Sequence, residues 1–336
     1  MSTPPKSRWR QLANSWYHRG VASLLACQQP GTWWHVPRRR IVCWGCAWLM
    51  TVGVGVYLRA EIHRRVARMD HDSPVNQTRS GGTLLIAGGG QLPEMIRQRF
   101  IELAGGNGAH IVVIPAEATD AGSRQQYREA WSRYPVKSID VLYADSRTAA
   151  DDPAVSEMLE TATGVWLGGG TQTWLTGSYG RTLVETRLKQ VLGRNGVIGG
   201  TSAGAAVMSR VMIAGGRDKP TMGRGFDLIP NAVIDQHFVK RNRFRRLQCV
   251  LQQHPQLIGF GIDEGTALQY AVESGHFQVL GQSCIVACVA AGTPDARAGY
   301  HLQFLNPGDE FDIERLRQGE GVPPAFTDLE SVLFGE

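Results

Sequence analysis

The chain has 336 residues, of which 43% are hydrophobic and 19% charged, with 40 glycines. That composition supplies a large core and excludes both a small disulfide-stapled fold and wholesale disorder. The formal net charge of +5 is unevenly placed: residues 1–80 hold 12 of the 35 Lys+Arg and only 3 of the 30 Asp+Glu. The rest of the chain is therefore net acidic, and the basic balance gives no reason to expect nucleic-acid binding by the main body.

Residues 1–40 form a basic segment that ends in Arg38, Arg39 and Arg40. Ile41 to Leu58, IVCWGCAWLMTVGVGVYL, then carries no charge. As a helix rising ~1.5 Å per residue this run spans about 27 Å, close to the hydrocarbon thickness of a bilayer. Trp44, Trp48 and Tyr57 are aromatic residues of the kind that sit toward the ends of such helices. A single membrane anchor over 41–58 is expected, since no small-x-small cleavage site follows Leu58. Lys6, Arg8, Arg10, Arg19 and Arg38 to Arg40 precede the run, and Arg59, Arg64, Arg65 and Arg68 follow it. The positive-inside rule then leaves the N-terminus cytoplasmic and the main domain periplasmic. Cys43 and Cys46 lie inside the apolar run, where no metal or redox site is expected. Residues 59–82, ending in the polar DHDSPVNQTRSGG, read as a linker.

From residue 83 to 336 short apolar runs alternate with helix-compatible segments: TLLIAGG, HIVVIPA, SIDVLYA, GVWLGGG, GVIGGTSAGA, NAVIDQH and LIGFGIDE. Continuous Val/Ile/Leu runs without polar alternation are the mark of parallel strands covered on both faces. Helices are expected over Pro93 to Ala104, Arg124 to Arg133 and Gln172 to Leu192. The pattern predicts a doubly wound α/β sandwich with a mostly parallel sheet. Cys284 and Cys288 are expected in its core. In such sheets the chemistry gathers at the carboxyl ends of the strands.

Gly200-Thr201-Ser202-Ala203-Gly204, between the apolar Val197-Ile198 and a helix, has the pattern of a nucleophile elbow with Ser202 as the attacking group. The next strand runs into Asp235-Gln236-His237, so His237 can reach the same sheet edge and take the serine proton. A third group should hold the imidazole, and Asp263, Glu264 and Asp218 are all placed to do so. The Ala203 N–H and one from Gly168-Gly169-Gly170 would form the oxyanion hole. Gly88-Gly89-Gly90 after the first strand could be only a turn. Arg241, Arg243, Arg245 and Arg246 beside the expected base suit a carboxylate-bearing substrate. No metal or organic cofactor is implied.

Taken together, GGGTQ at 168–172, GTSAGA at 200–205, DQHF at 235–238 with its arginines, GIDEGTA at 261–267 and FLNPGDEFDI at 304–313 resemble the serine peptidase family of cyanophycinase and dipeptidase E. The resemblance implies a three-layer α/β/α sandwich related to class I glutamine amidotransferase domains. It implies Ser202 as nucleophile, His237 as base and, as in the cyanophycinase branch, Glu264 as the third member, whereas dipeptidase E draws its acid from the loop holding Asp218. It also implies a substrate pocket of Gln172, Asp235, Gln236, Arg241, Arg243 and Arg246, and Ala203 with Gly169 or Gly170 is the expected pair of oxyanion donors. Asn242 stands where the family usually has glycine, and Thr171 is a departure within the GGxQ stretch. The partners to expect are a peptide rich in Asp and Arg and the membrane, with a homodimer left open. The rivals are a dipeptidase acting on Asp-X peptides and a non-catalytic binding protein, which would be expected to have lost Ser202 or His237.

Overall fold

Leu84 and Ile86 enter one core while Leu85 and Ala87 enter another, as the two-residue period of a strand requires. All four are fully buried, which is why TLLIA has no polar side. The computed structural model describes residues 81–117, 120–290 and 300–317, all within one unit, Thr78–Glu336. The basic segment, the expected anchor at 41–58 and residues 59–80 of the expected linker lie outside the described residues. Among the described residues no helix is long and apolar enough to cross a membrane.

The elements in chain order are β1 Thr83–Ala87, α1 Glu94–Leu103, β2 His110–Ala116, α2 Ala121–Ser132, β3 Ser138–Val141, the single turns α3 Arg147–Ala150, α4 Pro153–Ser156 and α5 Met158–Thr161, then β4 Gly164–Gly170, α6 Gln172–Tyr179, α7 Leu183–Gly193, β5 Val197–Thr201 and α8 Ala203–Ala206. They continue with β6 Val211–Gly215, β7 Thr221–Arg224, β8 Ala232–Gln236, α9 Phe244–Gln253, β9 Ile258–Ile262, β10 Thr266–Ala271, β11 His276–Gly281, β12 Ile285–Ala290, β13 Tyr300–Leu305, β14 Glu310–Asp312 and α10 Ile313–Arg317. The main sheet has the order β14-β11-β10-β1-β5-β4-β2-β3. Its β1, β5, β4, β2 and β3 are parallel, and β10, β11 and β14 extend it antiparallel.

The sheet is thus mixed: five of its eight strands are parallel, and three antiparallel strands extend one edge. A parallel return needs a crossover of a dozen or more residues, and the connections after Ile262 are too short for one. A correction concerns β8 and β9, which leave the main sheet and form a separate one in the order β13-β12-β9-β8. The first face of the main sheet is covered by α1 and α2, where Phe100 packs edge-on against Trp131 and against Trp166 of β4, and the two tryptophans pack tilted against each other. The opposite face is covered by α6, α7 and α8 and by the second sheet, whose Ile234, Phe260 and Ile262 join the same core. Outside that second sheet lies α9, with Leu247, Val250 and Leu251 packed on Val233, Val286 and Cys288. Helix-sheet-helix layering holds in the parallel half, and sheet on sheet takes over beside it.

The single helix expected over Gln172 to Leu192 is two. Gly180 and Arg181, the latter at φ 58, break it, and the Arg181 N–H donates to Glu185 Oε2 at 2.6 Å to start α7. The segment between Ser202 and His237 holds the β6–β7 hairpin, which periodicity did not reveal. Cys288 is in the core as expected, while Cys284, just before β12, is half-buried.

Candidate active site

Ser202 closes β5 with φ 53 and ψ −108, a conformation that costs an L-residue strain and persists only where its surroundings enforce it. Its N–H donates to Ala87 O at 3.1 Å, and α8 starts at the next residue. The flanking glycines are required by packing. A Cβ on Gly204 would lie 2.2 Å from Leu167 O, and one on Gly200 would lie 2.6 Å from Gly204 O.

His237 follows β8 at φ 51, its N–H donated to Gly88 O at 2.8 Å. Its Nε2 is 2.8 Å from Ser202 Oγ, and its Nδ1 is 2.6 Å from Glu264 Oε1. The imidazole is buried while the Glu264 side chain keeps 31% of its exposure. Burial pushes the His237 pKa below the ordinary 6.5, the Glu264 hydrogen bond pulls it back, and the positive charges of Arg241 and Arg243 push it down further. Of the three acids left open by spacing, Glu264 is the one in contact. Asp263 accepts from the Lys240 N–H at 2.9 Å and the Ser283 hydroxyl at 2.7 Å. Asp218 is exposed on the turn between β6 and β7.

Ala203 occupies the first turn of α8, so its N–H has no acceptor within the helix. Gly169 runs alongside, since a Cβ there would lie 3.8 Å from Ser202 Cβ. Gly170 turns away at φ 146, its Cβ position 2.7 Å from Ala116 O. The backbone of Gly169 and the free first-turn N–H of Ala203 therefore lie beside the serine.

The six residues expected to hold substrate fall into two groups. Asp235 is wholly buried, and Arg246 is 3% exposed. Arg246 donates Nε to Asp235 Oδ2 at 2.9 Å and Nη2 to Oδ1, and gives Nη1 to Gly216 O at 2.7 Å. Gln236 is also buried and accepts from Arg243 Nη1 through both its carbonyl, at 2.7 Å, and its side-chain oxygen, at 2.9 Å. The Gln172 amide donates to Ile213 O at 3.2 Å and Ala214 O at 3.0 Å. Asp235, Gln236 and Arg246 are thus buried beside the site and engaged with one another, with Arg243 and with Gly216. A buried carboxylate requires a fixed cation, and Arg246 is spent on it. Burial drives the Asp235 carboxyl upward against the pull of Arg246 and Arg243. Gln172 and Arg246 together pin the β6–β7 hairpin.

Arg241 is exposed and Arg243 half-buried, and burial lowers the Arg243 pKa to about 10. Both positive charges act on the His237 imidazole. Asn242 between them has φ 48, the left-handed region that glycine and asparagine both tolerate. The replacement of the usual glycine leaves the backbone requirement met. Among the described residues no group of three or more His, Cys, Asp or Glu is placed to hold a metal ion. The Gly88-Gly89-Gly90 turn is a part of the site that hydrophobic periodicity does not reveal. Its signal was a glycine run at the carboxyl end of the strand beside β5.

The sequence profile of peptidase family S51 matches residues 83–278. A cyanophycinase of Geminocystis herdmanii is 34% identical over 250 residues, spanning 68% of this chain and 91% of that protein. A cyanophycinase of Thermosynechococcus vestitus is 31% identical over 279 residues, 75% of this chain and 86% of that one. The crystal structure of a peptidase from an acI-B1 Actinobacterium has a similar fold, with a TM-score of 0.55 at 23% identity, covering 70% of this chain and 99% of that chain.

Proposed function

The chain belongs to peptidase family S51, the serine peptidases of cyanophycinase and dipeptidase E, and on that premise we propose that it cleaves cyanophycin or a related β-aspartyl-arginine peptide through Ser202, His237 and Glu264. The observation that carries the triad is the continuous path from Ser202 Oγ to His237 Nε2 at 2.8 Å and from His237 Nδ1 to Glu264 Oε1 at 2.6 Å. Ser202 Oγ attacks the scissile carbonyl as His237 Nε2 takes its proton. Glu264 accepts from Nδ1–H, fixing the tautomer and stabilising the imidazolium. The Ala203 and Gly169 N–H groups receive the developing oxyanion. The imidazolium then protonates the leaving amine, and water activated by the same base releases the acyl group from Ser202.

Arg241 and Arg243 support a carboxylate-bearing substrate, since guanidinium groups beside the base can hold a carboxylate near the scissile bond, and in cyanophycin that carboxylate belongs to the attached arginine. Cyanophycin is an aspartate backbone with arginine on each β-carboxylate. Contact of His237 with Glu264 rather than Asp218 supports the cyanophycinase branch over the dipeptidase branch. The test is incubation of the purified full-length chain with cyanophycin, with release of β-Asp-Arg dipeptide as the readout. Release is expected, and its absence overturns the substrate assignment.

The pH profile tests the base. Only neutral imidazole accepts the serine proton, so activity should fall as pH drops through the lowered His237 pKa, placing the acid limb of kcat/KM below the ordinary 6.5. Arg241→Gln removes a charge that disfavours imidazolium and should move that limb to higher pH. Glu264→Gln removes the group that favours it and should move the limb lower. Movement of either limb in the opposite direction refutes His237 as the titrating base.

The segment 41–58 carries a further part of the proposal, a single-pass anchor with the peptidase domain in the periplasm. A periplasm-sensitive reporter fused to the C-terminus should be active, and a reporter active only in the cytoplasm overturns this topology.

A further inference from the structure

Ser202 comes from the main sheet, whereas His237 and Glu264 follow β8 and β9 of the second sheet. Strand pairing within either sheet cannot by itself fix the distance between the serine and the other two. One loop touches both sides. Ala87 O accepts the Ser202 N–H at 3.1 Å, Gly88 O accepts the His237 N–H at 2.8 Å, and Gly89 O accepts the Gly265 N–H, next to Glu264, at 3.0 Å. The turn after β1 thereby holds the backbone of all three site loops.

Its lack of side chains is equally specific. Gly89, at φ 100, packs so closely that a Cβ would lie 2.5 Å from His237 Cε1, 2.6 Å from His237 Nε2 and 3.1 Å from Ser202 Cβ. Gly90, at φ 70, would place a Cβ 2.8 Å from Glu264 Oε2 and 2.9 Å from its Cδ. Carbon atoms do not approach heavy atoms this closely, so any side chain must displace the imidazole or the carboxylate. The two glycines meet the two atoms groups whose hydrogen bonds make the proton path.

We infer that Gly89 and Gly90 are positioning residues of the active site, Gly89 seating the His237 ring against Ser202 and Gly90 seating the Glu264 carboxylate against the ring. The inference rests on the Ser202–His237–Glu264 reading above and goes beyond it in assigning the turn that joins the two sheets.

Gly89→Ala in the full-length chain should lower the rate of Ser202 labelling by a fluorophosphonate probe, and kcat, on the order of 100-fold, with KM within about twofold, the usual consequence of an ångström-scale misplacement. Gly90→Ala should give a smaller loss and move the acid limb to lower pH, as Glu264→Gln does. A purely structural role for Gly90 would not move that limb. Gly308→Ala is the control for backbone strain, because Gly308 has a matching φ of 92 but nothing within 4 Å of its Cβ position; its labelling rate should stay within about twofold of wild type. Labelling of Gly89→Ala within about threefold of wild type overturns the inference while leaving the triad in place. Failure of the wild type to label removes the triad reading, and the inference with it. If Gly89→Ala folds poorly, its melting temperature is compared in the native and His237→Ala backgrounds. A smaller loss without the imidazole supports the contact, and an equal loss in both overturns it.

Discussion

Ser202→Ala is expected to abolish dipeptide release, with a fall in kcat on the order of 10⁴-fold to 10⁶-fold, the range seen when a triad nucleophile is removed. The melting temperature should hardly change, because the substitution removes one hydroxyl from a half-buried residue. The backbone at φ 53 is held by the Ala87 carbonyl and the start of α8, neither of which uses the hydroxyl. His237→Ala should cost a comparable amount, and the double variant little more, since nucleophile and base act as one unit. Steady-state kinetics on cyanophycin beside a thermal melt checks all three. A Ser202→Ala protein within tenfold of wild type would refute the mechanism.

Arg246→Ala should show the opposite signature, a large loss of stability. Asp235 has no exposure, and the Arg246 fork holds both its oxygens. Removing one partner of a buried pair strands the other charge and costs about 3–5 kcal/mol, or on the order of 10 °C in Tm for a domain of this size. The same side chain holds Gly216 O, so the β6–β7 hairpin should loosen as well and expose its tip to limited proteolysis. Asp235→Leu combined with Arg246→Met should recover part of the loss, because no unpaired charge remains. Arg241→Ala provides the contrast: it is exposed, so Tm should stay within about 1 °C while KM for cyanophycin rises. A normal melt for Arg246→Ala with a raised KM would place Arg246 in the substrate pocket and refute its structural role.

Much of the site was legible because its chemistry sits in short, local patterns. The elbow at Ser202 is visible in five residues, since the tight turn admits only small neighbours at Gly200 and Gly204, and the packing distances to Gly204 and Leu167 give the reason. His237 and the neighbouring acids Asp263 and Glu264 are legible as candidates because they sit just beyond apolar runs, and strand ends converge. The choice among Asp263, Glu264 and Asp218 had no local signal. It depends on Asp263 being spent on the Lys240 N–H and Ser283 hydroxyl, groups 20 or more residues away. The arginine run was similarly ambiguous. Arg241 and Arg246 are the same residue type five positions apart, and only the three-dimensional course of the chain into α9 leaves one exposed and buries the other against Asp235.

By itself the sequence determined the α/β character of the main domain, the parallel strands of its first half, and the serine and histidine most suited to nucleophilic catalysis, because periodicity, turn chemistry and strand-end placement are local. Tertiary structure alone decided that β8 and β9 belong to a second sheet, that the C-terminal strands extend the first one antiparallel, and that the Gly88–Gly90 turn binds the two together. Strand partnership depends on long-range contacts and loop lengths, and those contacts bring Ser202, His237 and Glu264 within hydrogen-bonding distance.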